Sequence, residues 1–125
     1  MSTENLTSRV FNDMDPALLS FIKKYVTSFV KWDLLHFFHQ NPHTIDTVEN
    51  IARYAGRAPD TVQRELAQLA RSGLLESSQM GEMVIYALTS SPQIQTNLAQ
   101  FVAASQDKQF RIRATYHVIR DMCRH

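Results

Sequence analysis

The sequence predicts a mainly α chain carrying one small β-hairpin, and three observations predict it. Apolar residues recur at helical spacing over most of the length. Start and stop signals (Asp15-Pro16, Gly56, Pro59, Gly73, Ser91-Pro92) fall at intervals of helix length. One longer stretch, residues 74–88, is instead rich in strand formers around a glycine-containing turn.

The first element follows from Asp15-Pro16, where the acid caps and proline suits the first helical position. From Pro16 to Gln40 there is no Gly or Pro, and apolar side chains lie nearly all round the helix. Six of the chain's twelve aromatic residues are here, among them Phe29, Trp32, Phe37 and Phe38. A small monomer does not readily cover such a helix on every side, so the pattern predicts a partner surface, with a dimer core ranked above a pocket for an apolar effector. Thr27-Ser28 offers a break point, and Asn41-Pro42 ends the segment.

A very short strand is expected at 43–45. Asp46 with Glu49 three residues on reads as the Asp variant of a capping box. Val48, Ile51, Ala52 and Ala55 then form a helical stripe that Gly56 terminates. The next helix opens at Pro59, turns Val62, Leu66, Leu69 and Ala70 inward, and stops at Gly73. Thr61, Gln63, Arg64, Gln68 and Arg71 are expected to face elsewhere. Residues 74–78 and 83–88 read as a hairpin, with Val84, Ile85 and Tyr86 its strongest strand formers and 79–82 its turn. Ser91-Pro92 opens a helix through Ile94, Leu98, Phe101 and Val102, which either breaks at 106–108 or continues to the end. In the last helix Ile112, Tyr116, Ile119 and Cys123 share one face, and Arg113, His117, Arg120 and Arg124 an adjacent one.

Helix, short strand, helix, tight turn, helix, hairpin is the order of a winged helix-turn-helix. The stretch "TVENIARYAGRAPDTVQRELAQLARSGLLE", followed by "VIYALT", resembles the winged-helix core of ArsR-type and MarR-type bacterial regulators over about residues 29–90. The features that carry the likeness are Ile51-Ala52, Gly56, Thr61-Val62-Gln63-Arg64-Glu65-Leu66 and Gly73-Leu74-Leu75. The resemblance implies a homodimeric transcription regulator that lays the helix at 59–72 in the major groove of double-stranded DNA. Pro59, Asp60, Thr61, Gln63 and Arg64 would then meet the groove. Arg64 suits guanine, Gln63 adenine, and Thr61 a phosphate or a thymine methyl. Arg57 and Arg71 would add phosphate contacts. The long N-terminal segment and residues 91–125 would make the dimer, so 16–125 forms one winged-helix domain behind a flexible lead-in at 1–15.

An alternative stays open. The stretch "GRAPDTVQRELAQLARSGLLE", with "YALT", also resembles the dimerisation domain that precedes the catalytic domain of some O-methyltransferases, which does not bind DNA. Ala58 offers no capping side chain, Asp60 and Glu65 put negative charge on the recognition helix, and the wing carries Glu82 with no Lys or Arg between Glu76 and Thr89.

Composition bounds the remaining classes. At 125 residues, 44% apolar and 20% charged, one globular domain is expected. The net charge is +1, but residues 106–125 hold five cations against two acids. The stripe Arg113, His117, Arg120, Arg124 therefore reads either as a solvated face or as a basic edge beside DNA. No apolar run approaches the roughly 18 residues of a membrane span, and residues 1–15 do not read as a signal peptide. The lone Cys123 is compatible with a reducing cytoplasm. Nothing reads as an enzyme: no nucleophile–base arrangement stands out, and three glycines make no phosphate cradle, so no cofactor is expected. His36 and His39, with His43 beyond them, or His117 with Asp121, give zinc at most two ligands on one helix where it prefers four. Asp107, His117 and Asp121 do not match the spacing of the C-terminal zinc site known in the ArsR type. No metal site is therefore expected.

Overall fold

The computed structural model describes residues 14–123. The lead-in expected at 1–15 and the stripe position Arg124 fall wholly or largely outside these residues. Helices α1 (Pro16–Tyr25) and α2 (Phe29–Gln40) precede strand β1 (Ile45–Thr47), helix α3 (Val48–Ala55) and helix α4 (Pro59–Ser72). Strands β2 (Leu75–Met80) and β3 (Met83–Leu88) follow, then α5 (Pro92–Ala104) and α6 (Lys108–Met122).

The break expected near Thr27-Ser28 is real. Ser28 caps α2, its Oγ accepting from the Lys31 N–H at 3.1 Å. The second break, expected at 106–108, falls at 105–107, where Asp107 caps α6 by accepting from Phe110 N at 3.0 Å. The cap of α3 is a correction. Thr47, not Asp46, accepts from the N–H three residues on, that of Asn50. Asp46 sits one position earlier, paired with Tyr86 in β1, and its carboxylate accepts from Thr47 N and from the Asn50 side-chain amide. The Asp46/Glu49 capping box does not form, because β1 extends to Thr47 and leaves Asp46 in the ladder.

The sheet is three-stranded and antiparallel in the order β1-β3-β2. Thr47 pairs with Ile85 and Leu75 with Leu88. The wing turn is tighter than expected. Met80 pairs with Met83, so only Gly81 and Glu82 turn the chain. Glycine at the first central position, with φ of 63°, is what such a two-residue turn asks of its backbone. Gly56 (φ 69°) likewise lets the chain leave α3 and enter α4.

The core runs through every helix. Ile22, Val26, Leu34, Leu35, Phe38, Ile51, Val62, Leu66, Leu69, Leu98 and Phe101 are buried. Half of the aromatic residues of α1 and α2 (Phe21, Tyr25 and Phe38) are buried here, and Phe29, Trp32 and Phe37 stay partly exposed. Trp32 packs edge-on against Phe101 with ring centroids 5.1 Å apart, Phe21 lies 5.4 Å from Phe101, and Phe37 stacks on Tyr54. Of the four residues considered for an apolar-effector pocket, Phe38 is fully buried and Phe29, Trp32 and Phe37 are partly buried against the core.

α6 meets the core through a face that takes His117 out of the basic stripe. Phe110, Ala114, His117 and Val118 face the core, whereas Ile112, Ile119 and Met122 are about half exposed. His117, read as part of a basic outer stripe, is buried. The helical phase is set by Phe110 and Ala114, and His117 follows them at i+7 and i+3.

Candidate nucleic-acid interface

The surface of interest is the outer side of α4. The helix is held from within by Val62, Leu66 and Leu69, which are buried. That fixes its outer face. Asp60, Gln63, Arg64, Ala67 and Arg71 line one shallow concavity of about 350 Å³. Their spacing is that of a single helical face. Four of the seven site residues expected from the sequence are thus brought together. Pro59 is exposed beside them at the helix start, and Thr61 is half-buried at its edge. Ala67 was not singled out, although its position four residues from both Gln63 and Arg71 marks it as part of the face. Arg64 and Arg71 make no ion pair among the described residues.

Arg57 is placed differently. Its guanidinium grips Asp33 of α2, Nε donating to Oδ2 at 3.1 Å and the terminal nitrogen to the same oxygen. The pair is partly exposed, so it is of modest strength. It links the turn before α4 to α2.

Five of the six helices among the described residues carry a side-chain N-cap, and α4 is the exception. Ala58 offers no acceptor. Proline at the first position has no N–H, and the next N–H groups lack intrahelical partners. The exposed start of α4 therefore keeps open donors on the same side as Gln63 and Arg64, a setting that suits an anion.

The negative charge read onto the helix is smaller than its sequence suggests. Glu65 is buried, on the inner side, and pairs with Lys31 of α2 at 3.2 Å. Gln68, expected to face outward, also turns in and accepts from the Lys31 amine. Only Asp60 remains as an acid on the outer face. Lys31 and its partners were missed because the contact spans 34 residues of chain. The signal was present, since Lys31, Leu34, Leu35 and Phe38 share one helical stripe.

The wing differs. Met80, Met83 and Val84 are exposed on it, Glu82 sits at its tip, and it carries no cation. Among the described residues, no group of three or more His, Cys, Asp and Glu side chains gathers in a way that could hold a metal ion. His36 is engaged locally: its Nδ1 lies 2.9 Å from the Trp32 carbonyl oxygen and its ring stacks on Trp32. Cys123 is exposed at the end of α6. No described helix is long and apolar enough to cross a membrane.

No family model and no curated protein sequence matches the chain. Solved structures do. The antimony-specific transcriptional repressor AntR superposes with a TM-score of 0.57 at 19% identity, over 70% of this chain and 77% of its own. The homodimeric winged helix-turn-helix DNA-binding domain of Mb0332 from Mycobacterium bovis, a possible ArsR-family regulator, gives 0.56 at 19% identity, over 71% and 79%. These likenesses show the winged helix-turn-helix fold.

Proposed function

We propose that the chain is a cytoplasmic, homodimeric DNA-binding transcription regulator of the ArsR type, not an enzyme, that reads the major groove with α4. One observation carries the reading. The outer face of α4 gathers Gln63, Arg64 and Arg71 beside an uncapped helix start, on a helix rigidly seated by Val62, Leu66 and Leu69. Arg64 has the fork that pairs with guanine, Gln63 the amide that pairs with adenine, and Arg71 the charge for a phosphate. The open N–H groups at the helix start add a further phosphate contact. The fold shared with AntR and Mb0332, whose descriptions are of a repressor and of a DNA-binding homodimer, supports the same reading. The half-exposed Ile112 and Ile119 of α6 supply an apolar face for the second copy.

The wing favours a second reading. Its exposed methionines, its Glu82 and its lack of cations suit a protein contact better than a phosphate, as in a winged-helix dimerisation module without DNA. Selection of duplexes from a randomised pool separates the two. A regulator enriches an inverted repeat with half-sites about 10 base pairs apart, matching its two-fold axis. A pool that returns unenriched after repeated selection favours the dimerisation module.

A further inference from the structure

A second concavity, of about 390 Å³, lies on the adjacent flank of α4, with Arg64 on the ridge between the two. Thr27 and Lys31 line it from the α1–α2 break and the first turn of α2; Arg64, Glu65 and Gln68 line it from α4; Met122 closes it from the end of α6. Lys31 is the one buried lysine among the described residues. Its ammonium donates to Thr27 Oγ1 at 2.6 Å and to Gln68 Oε1 at 2.5 Å, and lies 3.2 Å from Glu65 Oε2, a buried carboxylate oxygen that accepts no hydrogen bond among the described residues.

Burying an ion pair costs desolvation that its own attraction scarcely offsets, and an apolar pair of the same volume packs at least as well. This pair is not sealed in the core but forms the wall of a cavity. There an acid already sits against a buried ammonium, the arrangement into which another acid fits. Arg64 at the rim adds a second cation, so the cavity presents two cations to one acid and favours an anion. The Thr27 hydroxyl and the Gln68 amide can turn to donate. Met122 and the Lys31 stem supply apolar wall for a few carbons, and the volume suits a small molecule.

We propose that this cavity binds a small organic carboxylate, whose acid group pairs with Lys31 in place of Glu65 and with Arg64 at the rim. Glu65 is then an internal competitor that holds the site until a ligand arrives. Arg64 lines both this cavity and the outer face of α4. A carboxylate that engages it therefore withdraws it from DNA, and the two ligands weaken each other's binding by the same factor. This consequence rests on the DNA-reading role of α4; the site itself does not.

Acetate, butyrate and succinate are titrated into the full chain at constant ionic strength, against chloride, with backbone amide shifts as the readout. At least one gives saturable shifts centred on residues 27–31 and 64–68. Glu65→Gln, which removes the competing acid and keeps an acceptor for Lys31, binds that carboxylate at least tenfold more tightly. Lys31→Met/Glu65→Leu, which removes both charges without leaving one unpaired, folds and shows no saturable shift. Absence of saturation with all three anions in wild type and Glu65→Gln overturns the site, as does unaltered binding in the double variant. In parallel, the carboxylate lowers DNA affinity of the wild type but not of the double variant; equal DNA affinity with and without it overturns the sharing of Arg64. Carboxylate binding by a protein that binds no DNA at any salt leaves the site standing and removes the DNA reading. DNA binding without carboxylate binding does the reverse.

Discussion

Helix α4 and the wing are neighbours in the chain but opposite in chemistry. α4 shows Gln63, Arg64 and Arg71 on its outer face and is anchored by three buried side chains. The wing shows Met80, Met83, Val84 and Glu82, and only its base is anchored, through Leu75 and Tyr86. The difference teaches that, of the two, the helix offers cations to a polyanion, whereas the wing offers shape or apolar contact. It also explains why the net charge of +1 is a poor guide: what decides is which of the charges face outward on one helix.

The comparison breaks most visibly through stability. Leu66→Ala empties a fully buried position under the helix and is expected to cost about 2–5 kcal/mol. Val84→Ala on the wing should stay within about 0.5 kcal/mol. Urea denaturation of both variants checks this, and comparable losses would mean that the wing is packed as tightly as the helix. Next in size, Arg64→Ala should cost about 1–3 kcal/mol against the selected DNA site and relax preference at one base pair. Competition with single-base variants of that site reads out the relaxation, and an unchanged preference removes Arg64 from the base-reading set. The smallest effect sharpens the contrast from the other side. Glu82→Lys gives the wing the cation it lacks, and the salt dependence of duplex binding should steepen by about one unit of log K per log salt. A slope that does not move places the wing tip away from the duplex.

Much of this was legible in the sequence because it is local. Asp15-Pro16, Gly56, Pro59 and Gly73 mark helix ends through backbone chemistry that needs no distant partner, and the elements between them appear in the expected order. Gln63, Arg64 and Arg71 were legible for the same reason, since the stripe of Val62, Leu66 and Leu69 fixes which face is left over. What was not legible depended on contacts across the chain. Thr47 rather than Asp46 caps α3 because β1 pairs with β3, some forty residues later. Glu65 reads as an exposed acid until Lys31 of α2 is placed against it. The ion pair of Arg57 with Asp33 likewise joins residues 24 positions apart. His117 was misplaced because α6 has two faces with apolar residues, Phe110–Ala114–Val118 and Ile112–Tyr116–Ile119, and periodicity alone does not say which one meets the core.

The central claim is that the outer face of α4 neutralises phosphates. Fluorescence anisotropy of a labelled random-sequence duplex, titrated with the protein at a series of salt concentrations, tests it most directly. The account predicts binding at low salt that weakens steeply, with log K falling by several units per tenfold rise in salt, and a slope shallower by about one in Arg71→Ala. No binding even at the lowest salt, or binding indifferent to salt, would contradict it.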